Sequence, residues 1–509
     1  MVFAMQHDVI VVGAGSSGSV LARRLTESGG RSVLLLEAGP DYADPQKLPA
    51  DLVDGTRNSM VLHDWGYQHQ PTTRAGFWPL PRGRVVGGSS AVNTCIALRG
   101  QPEDYDEWAA RGLSEWSWQH CLPAFKRLER DLDVNNQWHG QDGPLPLRRH
   151  PSQEWVPWQA AFVEGCLELG FPSCYDSNAP GSWGVGPHAM NKLAGRRISV
   201  SEAYLTNAVR ARENFRLRAN TLIHRILLRG RDVIGVEVEN ERGELETLET
   251  NHVVLCAGAL NTPHILLRSG IGPRDQIERI GRQVAIEVPQ INRRLLDHPG
   301  TAFFLLPREP SVASFEHPLI QTVLRYRSKH SSHRSDILLQ PGSRFTMPDI
   351  DLVPLSLMCS VGKPRDTSGT ARWLSADPRA KPVVIQRMLE DESDRAVAVE
   401  AMEIAYELMQ TEALSSLAVQ AWPGERVLRS RKKIDAWIRS ACGSGYHPCG
   451  TVPMGTADDP DAATDGEGRV RGVTGLTVAD ASLMPTIPSS NIHLPTLMVA
   501  ERIADFLTR

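Results

Sequence analysis

No apolar run in this 509-residue chain approaches the ~20 residues needed to cross a bilayer; the longest are pieces such as Phe303 to Leu306. No membrane span is therefore expected. Charge of one sign is not in excess either. The 55 Lys and Arg against 59 Asp and Glu leave a net charge of -4, without the basic footprint of a nucleic-acid binder. Two short basic stretches, Arg325 to Arg334 and Arg429 to Lys433, are broken by serine and histidine and read as solvated surface. The eight cysteines show no CxxC spacing and no dense framework, which points to reduced thiols in a cytoplasm and neither staples nor zinc ligands. No metal is expected. Asn-X-Ser/Thr acceptors are missing, and Met1 to Asp8 lacks the basic and apolar regions of a secretory signal.

What is present begins at residue 8. Asp8 to Val12 is a β-branched apolar run, Gly13-Ala14-Gly15-Ser16-Ser17-Gly18 a tight turn, Ser19 to Glu27 a helical pattern, and Ser32 to Leu36 a second buried strand ending at Glu37. This is a βαβ unit of about thirty residues. The first glycine permits the turn, the second lets backbone approach a pyrophosphate, and the third lets helix pack on strand. The phosphate then meets the positive end of the following helix. Glu37, nineteen residues after Gly18, stands where a carboxylate accepts from ribose hydroxyls. The pattern defines a dinucleotide site without choosing NAD or FAD.

Further along, Ala38 to Asn93 is rich in Pro, Gly and Trp and reads as long ordered loops, which in a compact enzyme cover a ligand. Within it, Arg82 to Asn93 carries two adjacent glycines and two hydroxyls that suit a phosphate or a ring lying close to the chain. Glu154 to Leu169 reads as a helix and Phe171 to Pro187 as a loop. Strands are expected at Phe215 to Leu217, Leu222 to Leu228, Val233 to Val238 and His252 to Cys256. From Pro299 to about Cys442 the pattern shifts to strand-like runs (Thr301 to Leu306, Ile350 to Pro354, Val383 to Met388) before a helix from Ser393 to Gln410. The fold class that follows is an α/β Rossmann-like nucleotide domain joined to an α+β substrate domain, an antiparallel sheet covered by helices. The expected boundaries are 1–298, with an insertion near 150–190 belonging to the substrate domain, then 299–442, then a return to the first domain over 443–509.

Two of the sixteen histidines stand out. His447, in Tyr446-His447-Pro448-Cys449-Gly450, follows a helix-like stretch from Lys433 to Cys442; His493, in Asn491-Ile492-His493-Leu494-Pro495, precedes a helix-like run from Thr496 to Leu507. Both sit at element boundaries, where catalytic groups concentrate. They are read as an acid/base pair working beside the dinucleotide, because imidazole titrates near neutrality. Tyr446, with Trp65 and Trp78, is a candidate aromatic wall for a flat substrate, although ordinary core packing is the better explanation of the tryptophans and an equal one for Tyr446.

With these residues in hand, the chain resembles the glucose-methanol-choline (GMC) family of FAD-dependent oxidoreductases. Arg82 to Asn93, continuing to Arg99-Gly100, is similar to the family's first signature, and Gly258 to Pro263 with Leu266 to Pro273 to its second; Asp297-His298 and Val478 to Pro485 resemble two further blocks. The resemblance spans nearly the whole chain. It implies FAD, with ADP on Gly13, Gly15, Ser16, Ser17, Gly18, Glu37 and Ala38, and with Ile223 at the adenine. Arg84, Val86, Gly88, Ser89, Asn93, Thr94, Asp480, Ala481, His493, Pro495 and Thr496 complete the implied cofactor set. Val92 stands where some members carry a flavin-linking histidine, so the FAD is expected to be non-covalent. Ile291-Asn292 departs from the family's usual Val-Gly. The implied activity is oxidation of a primary, aromatic or heteroaromatic alcohol to the aldehyde, with His447 the better candidate base, His493 orienting the alkoxide, and dioxygen reoxidising the flavin. Three alternatives remain: a choline-like dehydrogenase using a quinone or other acceptor, an FAD-containing hydroxynitrile lyase, and a non-enzymatic FAD-binding protein.

Overall fold

The computed structural model describes residues 7–345, 353–365 and 369–509. Val9–Val12 and Val33–Leu36 are buried at every position, as continuous apolar runs in a parallel sheet must be. They form the centre of a five-stranded parallel sheet in the order Phe215–Arg218, Val33–Leu36, Val9–Val12, Val253–Leu255, Leu476–Val478. The chain thus returns to its first sheet near its end. Helix Ser16–Leu25 starts three residues before the expected boundary, directly after Gly15, and packs on the closing helix His493–Thr508, which also contacts helix Trp118–Leu128. Trp116 and Phe506 meet edge to face there, within the larger apolar core. Leu222–Arg229, Asp232–Glu239 and Leu245–Glu249 make an antiparallel meander.

The second layer is an antiparallel sheet in the order Ala418–Trp422, Pro299–Pro307, Leu355–Val361, Ile337–Gly342, Thr322–Tyr326, Gly184–Pro187, with Gly443–Ser444 also pairing to Pro299 and Gly300. Alternation along Pro299–Pro307 sends Phe303 and Leu305 into a core shared with helices Pro157–Glu168, Glu392–Leu408 and Arg431–Ala441. The fold class agrees with the sequence reading.

Several local expectations change. The loop expected to Pro187 ends in the edge strand Gly184–Pro187, and the segment 38–93 contributes Gln68–Gln70 and Trp78–Pro79 to a small sheet with Thr370–Arg372 and Val383–Ile385. Ile350 to Leu352 of one expected strand lie outside the described residues; Val353 and Pro354 are not in a strand, which begins at Leu355. Arg325, expected on a solvated surface, is 1% exposed: it lies inside the antiparallel sheet and donates to the Ser177 carbonyl at 2.6 Å and to Ser335 Oγ at 3.0 Å. A short basic run cannot report this, because strand Thr322–Tyr326 is buried at every position, covered on both faces.

Candidate functional site

One cavity runs along the carboxyl ends of the parallel strands, where ligands bind in open α/β sheets. Its floor is the glycine turn. Gly13 has φ +98°, and a Cβ at Gly18 would lie 1.8 Å from the Gly13 carbonyl oxygen, so Gly18 packs beneath the turn and does not line the cavity. Gly15 and Gly88 face each other so closely that a Cβ on Gly88 would come within 2.7 Å of Gly15 Cα. Glu37 is buried; its carboxylate accepts from Ala14 N–H at 3.0 Å and Gly39 N–H at 2.8 Å. Burial pushes its pKa up to about 7, against those two amides.

Of the residues singled out, Gly13, Gly15, Ser16, Ser17, Glu37, Ala38, Gly88, Ser89, Asn93, Thr94, Ile223, Asp480, Ala481, His493 and Thr496 line this cavity together with Tyr446 and His447. Arg84, Val86 and Pro495 do not. Arg84 lies over the Trp65 ring at 5.1 Å and reaches the Ala38 carbonyl, which ties Trp65 to the nucleotide side; Trp78 is half-exposed and outside the cavity. Asp480 lines the wall, but its carboxylate is committed elsewhere: it accepts from Gly258 N–H (2.7 Å) and Thr262 Oγ1 (2.6 Å) at the start of helix Gly258–Arg268, and from Ser482 N–H (2.9 Å). It caps a helix end, a favourable place for a carboxylate.

At the other end, the loop carrying His447 is pinned to the strand end at His298. Gly445 N–H donates to the His298 carbonyl (2.8 Å), and a Cβ on Gly445 would stand 2.9 Å from His447 Nδ1. Asp297 organises the corner: Oδ1 accepts from the backbone N–H of both His298 and His447 at 2.8 Å, and Oδ2 accepts from Ser444 Oγ (2.5 Å) and Gln386 Nε2 (2.6 Å). The Nδ1 atoms of His298 and His447 are 2.9 Å apart, and His447 Nε2 lies 3.2 Å from Asn491 Nδ2. Burial, then His298 and Arg82, holds the His447 pKa well below its ordinary value. The ring is neutral at pH 7, with a nitrogen available as a base.

His447 and His493 line the same cavity, and the side chain hydrogen-bonded to His447 Nε2 is Asn491, two residues before His493. His493 is the first residue of the closing helix, partly buried, with its pKa pushed down to about 4 by desolvation and by Arg197. Sequence reading missed Asn491 although it quoted the motif, since Asn491 and His493 differ by two positions on a loop whose exit direction only the fold sets. A signal existed in Asp297-His298, quoted as a block but given no role. Three buried polar atoms on the cavity wall, Ser17 Oγ, Asn491 Oδ1 and His493 Nε2, have no partner among the described residues. With the glycine cradle they fit a long cofactor bearing phosphates at one end and a polar ring at the other.

A parallel-sheet dinucleotide cradle running into a buried histidine corner defines a flavin-type oxidoreductase. Comparison with known proteins narrows this: the description GMC oxidoreductase matches residues 7–300 for the family's N-terminal part and 364–500 for its C-terminal part. The chain belongs to the GMC oxidoreductase family. It is 33% identical to mitochondrial choline dehydrogenase of Mus musculus, over 99% of this chain and 89% of the relative. It is also 33% identical to 5-(hydroxymethyl)furfural oxidase of Methylovorus sp. (strain MP688), over 98% of each. The solved structure of pyridoxine 4-oxidase from Mesorbium loti superposes with a TM-score of 0.90 at 30% identity, covering 99% of both chains. The protein is an FAD-dependent oxidoreductase acting on alcohols. No helix among the described residues is long and apolar enough to cross a membrane.

Proposed function

We propose that this protein oxidises a primary aromatic or heteroaromatic alcohol to the aldehyde and passes the electrons to dioxygen, forming hydrogen peroxide. The observation that carries the reading is the corner at His447, where a partly buried neutral imidazole and the Asn491 amide meet on the wall of the cofactor cavity. Bound FAD supplies the hydride acceptor. His447 Nε2 takes the hydroxyl proton as the carbon gives up its hydride, Asn491 Nδ2 donates to the developing alkoxide, and Tyr446 flanks the flat substrate. A base of this kind contributes roughly 10²–10⁴-fold. Tyr446 and His447 act on substrate; His493, through its free Nε2, faces the cofactor. Val92 offers no histidine for a covalent link, so denaturation should release the flavin intact. Eight unpaired cysteines support a reducing, cytoplasmic setting.

The choline-like alternative is supported by the choline dehydrogenase relatives. Against it, the only carboxylates on the cavity wall among the described residues are Glu37 and Asp480, one held by Ala14 and Gly39 amides and the other capping a helix. A quaternary ammonium would find no free carboxylate at the His447 corner. Two relatives named for heteroaromatic compounds favour the flat substrate.

The test is anaerobic stopped-flow of the purified holoenzyme against 5-(hydroxymethyl)furfural, benzyl alcohol, pyridoxine and choline, followed by oxygen. Fast bleaching by an aromatic alcohol, then rapid reoxidation with stoichiometric peroxide, is expected. Bleaching by choline alone would sink the substrate assignment, and slow reoxidation would favour a quinone-type acceptor. Cleavage of a cyanohydrin without bleaching would make it a lyase.

A further inference from the structure

We infer that His298 is a positioning residue that fixes which nitrogen of His447 carries the proton, leaving the Nε2 lone pair on the cavity side. The inference rests on the proposed role of His447 and goes one residue deeper.

The polarity of the chain of bonds is set from its far end. His298 Nε2 lies 3.0 Å from the Pro488 carbonyl oxygen, which has no proton to give; that contact is a hydrogen bond only if Nε2 carries the hydrogen. His298 is buried at 3% exposure, and burial lowers its pKa, so its ring is neutral and holds one proton. Its Nδ1 is therefore an acceptor. Among the described residues His298 Nδ1 is hydrogen-bonded to His447 Nδ1 at 2.9 Å, which must donate. The rings stand at 80° with centroids 5.0 Å apart, an edge-on arrangement that lets an N–H point at a lone pair. Neutral His447 has then spent its proton on Nδ1, and Nε2 is an unprotonated acceptor that meets the Asn491 amide N–H at 3.2 Å. Asp297 holds the register by accepting from both backbone amides at 2.8 Å. When Nε2 accepts the substrate proton, the O–H bond breaks, an N–H bond forms, and the Nδ1–H bond to His298 becomes charge-assisted without any ring turning.

Neutron diffraction from deuterium-exchanged holoenzyme crystals reads the proton positions directly. Deuterium on His447 Nδ1 and His298 Nε2 is expected, and deuterium on His447 Nε2 would overturn the inference. Two variants test the consequence by anaerobic flavin reduction. His298→Gln keeps an acceptor and should stay within about tenfold of the parent rate. His298→Phe keeps bulk but no acceptor, and should lose about 10²-fold or more in the reduction rate with little change in apparent substrate affinity. Equal rates for the two variants at full FAD content would sink it. If His298→Phe fails to fold, or if no alcohol reduces the flavin, the neutron map still decides the proton positions.

Discussion

At the residue scale, the side chain that meets His447 Nε2 is Asn491, two residues before His493. Asn491 Nδ2 faces His447 Nε2 at 3.2 Å, whereas His493 presents an unpartnered Nε2 to the cavity. Asn491→Ala should slow alcohol-dependent flavin reduction by roughly 10²-fold, the usual cost of one preorganised donor at a developing oxyanion. His493→Ala should slow it less than tenfold while weakening FAD retention, read as flavin released on gel filtration. The reverse ordering in stopped-flow would return the pairing role to His493. The lowered His447 pKa also sets a pH profile. A base whose conjugate acid is destabilised by burial stays deprotonated below the ordinary imidazole range, so kcat/KM should remain on its plateau down through pH 6.5 and fall only at lower pH. An acid limb centred at 6.5 or above would contradict a desolvated base.

Elements carry the cofactor through close backbone approach. Strand Val9–Val12 delivers the chain into a turn where Gly13 takes a positive φ and Gly18 packs from beneath. Gly18→Ala places a methyl 1.8 Å from the Gly13 carbonyl oxygen, which forces helix Ser16–Leu25 off the sheet. The purified variant should contain little or no FAD and lose at least about 1–3 kcal/mol of stability, by absorbance ratio and thermal melting. Gly76→Ala, where an added Cβ meets nothing within 4 Å, is the control and should retain full flavin. Full occupancy in Gly18→Ala would show that helix and strand are not in the contact described. The βαβ elements were legible because apolar periodicity and glycine spacing are local. Helix His493–Thr508 was legible only from Thr496, because its first turn contains Pro495 and no capping side chain marks the start.

Across the whole molecule, a buried ionic network joins parts of the chain far apart in sequence. His139 Nδ1 lies 2.9 Å from both Glu129 and Asp131, its Nε2 2.9 Å from Asp176; Arg149 bridges Asp131 and Asp176, and Arg99 pairs with Glu129. Burial opposes charge on His139, but the three carboxylates prevail and push its pKa up to about 10. A pKa raised on folding stabilises fully below the unfolded value near 6.5 and is lost as pH rises through about 10. His139→Ala should cost about 3–5 kcal/mol at pH 6, because it strands buried carboxylates, and the Tm gap to the parent should narrow steadily toward pH 10. A gap independent of pH would mean that His139 is not charged in the fold.

The amino-acid order by itself determined the opening βαβ unit, the glycine cradle, Glu37 at its strand end and the resemblance to the family, since each rests on contiguous residues and local periodicity. It also singled out His447, because Tyr446-His447-Pro448 lies in one recognisable stretch. Only the tertiary structure decided which side chain meets His447, that Asp297 and His298 brace it, that Asp480 caps a helix, and that Arg325 is buried. Those contacts join positions separated by 44, 150, 149 and 222 residues, or, for Arg325, depend on a strand being covered on both faces. Local spacing carries no information about such distances; the folding of distant loops over the strand ends of the parallel sheet creates them.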